Sequence, residues 1–158
     1  MKKAAEKRNV AGRLLFLVYC GVMLWLLFGQ RMDGGQISIS LGNGDENVNF
    51  VPFETVRLYI RLLQKSTDKA LLRHAVINLV GNVVMFIPLG WLLPAVWQKT
   101  RAFFKTLFLS AAAICVVEAV QYFTALGSCD IDDLILNSTG YLMGYGIYLL
   151  VKALRQRR

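Results

Sequence analysis

Four long apolar runs separated by short polar segments predict an all-α membrane protein. The expected architecture is a four-helix transmembrane bundle with an extracytoplasmic loop that carries a short hairpin and an amphipathic helix. Two bulk properties agree. The chain is 56% hydrophobic, against roughly 45–50% for ordinary soluble proteins, and its mean hydropathy is +0.47. Its 158 residues suit one domain spanning 1–158. A membrane helix needs roughly 20 mostly apolar residues, because the hydrocarbon core is about 30 Å thick. The runs place helices over 12–29, 74–97, 102–126 and 134–151, with an outer loop over 30–73.

The first run, Gly12–Gly29, follows Lys2, Lys3, Lys7, Arg8 and Arg13. A charged start before an apolar stretch is also how a signal peptide begins. The run is long, however, and Phe28-Gly29-Gln30-Arg31 is a poor small-residue cleavage site. It is read as a retained helix. In the outer loop, Ile37–Leu41 alternates with period two. Gly42-Asn43-Gly44-Asp45 supplies turn residues, and alternation resumes at Val48 and Phe50. That pattern predicts a hairpin. Pro52 then opens a helix with Arg57, Arg61 and Lys65 on one face. It fits either a basic interfacial helix or a solvated one.

The second run, His74–Trp97, contains Pro88 and Pro94. Proline removes an amide donor and crowds the preceding turn, so a kink is expected near Val84. The third run, Ala102–Leu126, is rich in small residues at Ser110–Ala113. The fourth, Leu134–Val151, carries Gly140-x-x-x-Gly144, a spacing that suits close helix packing.

The net charge of +8 would suggest nucleic acid in a soluble chain. Here the basic residues flank apolar runs, and no basic patch with interleaved aromatics stands on a soluble domain, so no nucleic-acid partner is expected. Twelve Lys and Arg fall in the N-terminal segment, the Gln98–Lys105 connector and the C-terminal tail. The opposite side holds six, offset by five acids in the same loop. The positive-inside bias places both termini in the cytoplasm. Three cysteines, two of them in apolar runs, form neither a disulfide framework nor a CxxC pair. No cofactor motif is present.

Polar residues inside a bilayer are costly, and they are functional or tightly paired. His74, Asn78 and Asn82 recur every fourth residue on the second helix, while Glu118, Gln121 and Tyr122 share a face of the third. Asp130, Asp132 and Asp133 open the fourth helix, with Asn137 one turn on. At about 1.5 Å per residue, Asn82, Glu118 and Asn137 all lie roughly 10–12 Å below the outer ends of their helices. Three helices therefore bring their deepest polar groups to one level. Singly, each amide is also explained as interhelical glue. Glu118 is the exception: at that depth it must be protonated or paired, and it is the candidate acid or base. His74 is read as an interfacial histidine. Asp130 and Asp133 are weak candidates for a hard cation and are better explained as an N-terminal cap for the helix.

These residues resemble the VanZ-like family of small bacterial membrane proteins, named for a teicoplanin-resistance protein. The matching stretches are Asn49–Thr55, Asn78-Leu79-Val80-Gly81-Asn82 with Phe86–Gly90, Glu118-Ala119-Val120-Gln121, and Asp130–Gly140 continuing to Gly144-Tyr145. Family members often carry an arginine shortly before the acidic motif; here Leu126-Gly127-Ser128-Cys129 occupies that stretch. The resemblance implies the bacterial cytoplasmic membrane, the cell envelope and an association with glycopeptide or lipoglycopeptide resistance. The resemblance supplies no mechanism; the function that the polar layer fits first is a non-enzymatic protein that binds a membrane lipid or lipid-linked wall precursor. Asn49, Asn78, Asn82, Glu118, Gln121, Asp130, Asp133 and Asn137 would form its outward-facing polar cavity, with Arg57, Arg61 and Lys65 at anionic headgroups. The alternative is an intramembrane hydrolase or group transferase acting on such a lipid through Glu118. No Ser-His-Asp, HExxH or phosphate-loop pattern supports catalysis. A transporter or assembly subunit is a third class.

Overall fold

The computed structural model describes residues 2–29, 48–97, 100–124 and 129–157. Five helices and one two-residue strand pair make up these segments. Helix α1 (Lys2–Leu24) ends in a π-helical turn, Trp25–Gly29. Helix α2 covers Glu54–Lys65, α3 Lys69–Val96, α4 Phe103–Phe123 and α5 Ile131–Gln156. Strand β1 (Val48–Asn49) pairs in parallel with β2 (Cys129–Asp130). Four helical stretches are long and apolar enough to cross a membrane: Val10–Phe28, α3, α4 and α5. The expected hairpin falls mostly outside the described residues. Its described end, Val48–Asn49, takes the start of α5 as its partner.

Helix boundaries follow their caps. The Asp68 carboxylate accepts the Ala70 and Leu71 amides at 2.8 and 3.4 Å, so α3 begins five residues before the apolar run. That carboxylate satisfies amides that no turn above can reach. Helix α5 extends to Gln156 because Lys152 and Arg155 are good helix formers and suit its negative end. Helix α1 starts ten residues before the apolar run, through a stretch free of Gly and Pro. Helix α3 runs without a break through Pro88 and Pro94. Near the first proline, the Tyr19 hydroxyl donates to the Met85 carbonyl at 2.8 Å, a neighbour of the Val84 carbonyl that Pro88 leaves without its amide.

Helices α3 and α5 form the tightest pair. A Cβ on Gly140 would overlap the Val83 carbonyl, one on Gly144 the Ile87 carbonyl, and one on Gly90 the Tyr141 carbonyl. The register rises together on both helices, so they run parallel, and α4, between them in the chain, returns to the end where α5 begins. Helix α1 packs antiparallel to α3, with Phe16 edge-on to Trp97 and Met23 buried with Phe86 and Ile114. At the end that holds the chain termini, Tyr141, Tyr145 and Tyr148 form a second cluster with Leu89, Trp91 and Leu107. Most other apolar side chains on α1 and α4, such as Leu17, Phe104, Phe108 and Val116, face outward. That distribution suits lipid, in which burying apolar side chains gives little driving force and close backbone contact gives more.

Gly140-x-x-x-Gly144 is thus consumed inside the chain. Gly140→Val and Gly144→Val should each destabilise the detergent-solubilised protein by at least about 1–3 kcal/mol, because the added carbons meet backbone that cannot move aside. Gly146→Ala should leave thermal stability unchanged, since nothing lies within 4 Å of the point its methyl group would occupy. Equal melting temperatures for all three variants would contradict this packing.

Candidate functional site

The polar residues gather at the acidic end of the bundle, where β1, α2, α3, α4 and α5 meet. The start of α5 organises them. Asp130 caps its own helix by accepting the Asp132 amide at 2.8 Å. The same carboxylate accepts from the Thr55 hydroxyl at 2.6 Å and from Asn49 Nδ2 at 3.2 Å. Asn49 also donates to Thr55 Oγ1 at 3.0 Å, and its own oxygen takes the Val51 amide at 2.9 Å. Both Asp130 oxygens are therefore engaged by protein donors. Burial pushes its carboxyl above the ordinary carboxylate value, while the Thr55, Asp132 and Asn49 donors pull it back.

Asp132 is fully buried and caps a different helix. Its carboxylate accepts the Phe53 amide at 2.5 Å and the Val56 amide at 3.0 Å, at the start of α2. Phe53 sits at φ 64°, in the left-handed region. A bulky residue there costs on the order of 1–3 kcal/mol, and the Asp132 bond holds it in place. The sequence singled out Asp130 and Asp133 and passed over this role of Asp132. The signal was the third carboxylate in the motif, more than one helix start needs.

Asp133 faces the bundle and accepts from Asn82 Nδ2. This contact ties α3 to α5 beside the glycine seam and joins two residues expected to share the site. Asn137, one turn on, is 4% exposed, and among the described residues its side-chain oxygen accepts no hydrogen bond. Glu118 is buried on α4. The charges of Glu118 and Asp133 both raise the pKa of the Cys129 thiol. Asn82, Asp133 and Asn137 thus form a polar layer with Asn49 and Asp130 at its rim.

Two amides point elsewhere. Asn78 Nδ2 donates to the His74 carbonyl at 3.0 Å and meets the His74 ring at 3.3 Å, within its own helix. Gln121 is 2% exposed and donates to the Leu27 carbonyl at 3.1 Å. Leu27 lies in the π-helical end of α1, where the regular bonding pattern lapses. Gln121 is thereby an anchor for α1. His74 packs edge-on to Tyr59 of α2. Arg57, Arg61 and Lys65 are all exposed on α2, beside the exposed apolar Ile60 and Leu63. Among the described residues, no group of three His, Cys, Asp or Glu side chains is arranged to hold a metal ion.

Two outcomes follow from this geometry. Asp132→Ala leaves the Phe53 and Val56 amides without their acceptor, at about 1–3 kcal/mol. Hydrogen exchange over Glu54–Lys65 should rise well above that over α3, whereas unchanged protection of α2 would remove Asp132 as its cap. The Cys129 thiol is pushed up by burial first, then by Glu118, Asp130, Cys115 and Asp133. Its maleimide labelling should therefore be slow near pH 7 and accelerate above pH 9. Glu118→Gln should speed it, because one of the charges that oppose the thiolate is removed. An unchanged rate would mean that Glu118 carries no charge at the thiol.

A family model described as VanZ/LLP1 matches residues 16–152. The chain is similar to a protein from Enterococcus faecium named Protein VanZ, with 31% identity over 71 residues. That match covers 45% of this chain and 44% of the relative, so less than half of the relative's length is spanned. No solved structure matches. The family match extends from the middle of α1 almost to the end of α5 and includes every residue of the polar layer. On that coverage, the chain belongs to the VanZ/LLP1 family.

Proposed function

We propose that this chain is a cell-envelope protein of the bacterial cytoplasmic membrane, with both termini in the cytoplasm. In this reading it binds the polar head of a membrane lipid or lipid-linked wall precursor between α3, α4 and α5. Through that binding it contributes to glycopeptide resistance of the teicoplanin type. The observation that carries the reading is the buried Asn137 oxygen, which accepts no hydrogen bond among the described residues. It lies one turn below Asp133, which is bonded to Asn82. An unsatisfied buried acceptor costs about 1–3 kcal/mol, and a ligand hydroxyl or amide would relieve that cost. The chemistry required is hydrogen bonding and shape. A sugar headgroup supplies both, because its hydroxyls donate to the Asn137 oxygen.

The test separates binding from catalysis. The chain and its variants are expressed in a susceptible host, scored for teicoplanin tolerance, and analysed by native mass spectrometry for co-purifying lipid. Glu118→Gln keeps the shape and hydrogen-bonding capacity of the side chain but cannot ionise. Binding alone predicts that it retains both lipid and tolerance. Asn137→Leu should lose about tenfold or more in bound lipid, and Asn82→Ala should be non-additive with Glu118→Leu because the residues share one site. Retained lipid with lost tolerance in Glu118→Gln, at wild-type expression, would favour an intramembrane hydrolase or transferase with Glu118 as its acid or base. Absence of any wall-type or membrane lipid from the wild-type protein would overturn the reading.

A further inference from the structure

At the opposite end of the bundle, where the chain termini lie, a groove of about 260 Å³ opens between the ends of α3 and α5. Trp91, Ala95, Tyr148 and Val151 form its apolar wall, and Arg101, Lys152 and Arg155 stand at its mouth. Among the described residues, no acidic side chain lines it. Three cations without a facing carboxylate repel one another unless an anion is present.

One of the three cations is held in position. The Tyr145 hydroxyl donates to the Arg101 carbonyl at 2.9 Å. Arg101 Nε donates to the Pro94 carbonyl at 3.4 Å, which leaves the terminal guanidinium nitrogens directed to other partners. The preceding residue is fixed as well, since Thr100 Oγ1 donates to the Leu93 and Trp97 carbonyls at 3.0 and 2.7 Å. The connector between α3 and α4 is thus fastened so that a fork of donors overhangs the groove. A guanidinium of this kind matches a phosphate bidentately.

We propose that this groove is a binding site for an anionic phospholipid. The phosphate would lie among Arg101, Lys152 and Arg155, with the glycerol and upper acyl chain against Trp91, Ala95 and Val151. The apolar wall is what selects a lipid over a soluble phosphate: a free anion gains nothing from Trp91 and Val151, whereas a lipid fills both halves. The position agrees, because the groove lies where helices leave the hydrocarbon and where tryptophan and tyrosine mark the interface. Basic pockets between helix ends at that level favour anionic headgroups. This site is separate from the polar layer around Asp133, and the two can be occupied independently.

The experiment uses Trp91 as its own reporter. In a Trp25→Phe/Trp97→Phe background Trp91 is the sole tryptophan. The full-length protein is reconstituted in vesicles of fixed composition, one part phosphatidylglycerol to four parts phosphatidylcholine. Bromine is carried on the acyl chains of one lipid or the other. The surface charge is then identical, and only the identity of the quenching lipid differs. Per molecule, the brominated phosphatidylglycerol should quench Trp91 at least about fivefold more effectively, as expected when basic side chains favour anionic headgroups. Arg101→Gln/Lys152→Gln/Arg155→Gln should abolish the preference. All three residues are exposed, so the fold is not at stake, and Arg101→Lys with Arg155→Lys should restore part of it. Equal quenching by the two lipids, or a preference that survives the triple substitution, would overturn the proposal. Reversal of the preference by millimolar inorganic phosphate would also overturn it, by identifying a soluble anion as the occupant.

Discussion

The Asp132 carboxylate accepts two amides at the start of α2, and the extramembrane part of the protein depends on that contact. A helix start exposes up to four amides that no intrahelical carbonyl can reach. Helix α2 has no side chain of its own that caps it. It takes its acceptor from the first turn of a helix that follows it by more than 70 residues. This permits Phe53 to adopt its left-handed backbone and brings Thr55 to Asp130. The three aspartates in the motif therefore divide the neighbouring elements among them: Asp130 serves α5 itself, β1 and Thr55 of α2, Asp132 the first amides of α2, and Asp133 α3.

Within the bundle, cohesion comes from contacts that lipid cannot replace. Three glycines let the backbones of α3 and α5 touch. Two long side chains fasten α1 by its neighbours' carbonyls or by its own: Tyr19 reaches Met85, and Gln121 reaches Leu27. Side chain to backbone bonds of this type contribute about 0.6–2 kcal/mol in a membrane. They also orient α1 without any charged partner inside the bilayer. The contact of Asn82 with Asp133 is consequently made between helices that these bonds and glycines already fix.

Much of this was legible in the sequence, for a physical reason. Hydrophobic length and helix caps are local properties, so four spans and the amphipathic helix after Pro52 could be read directly. The glycine pair on α5 and the aspartate cap were legible too, since small residues and carboxylates have few uses at those positions. Partners distant along the chain were harder to read. Asn78 and Asn82 share a helix face, but Asn78 turns back to His74, while Asn82 crosses to Asp133. Gln121 shares its face with Glu118, yet its acceptor exists only because α1 ends in a π turn, which no residue pattern announced. The pairing of Val48–Asn49 with Cys129–Asp130 likewise joins segments 81 residues apart.

The parallel arrangement of α3 and α5 carries a cost during synthesis. Roughly 50 residues separate Gly90 from Tyr141, and at about 5–20 residues per second the ribosome needs some 3–10 s to make them. Throughout that interval α3 stands in the membrane without its tightest neighbour. Lipid chains must occupy the shallow trough over Val83, Ile87 and Gly90, and Asn82 must wait for Asp133. Entry of α3 therefore rests on its own hydrophobicity, and α4 is held in place before the pair can close. Helix α5 then displaces that lipid and completes the seam, so α3 acquires its tightest packing only after α5 has left the translocon.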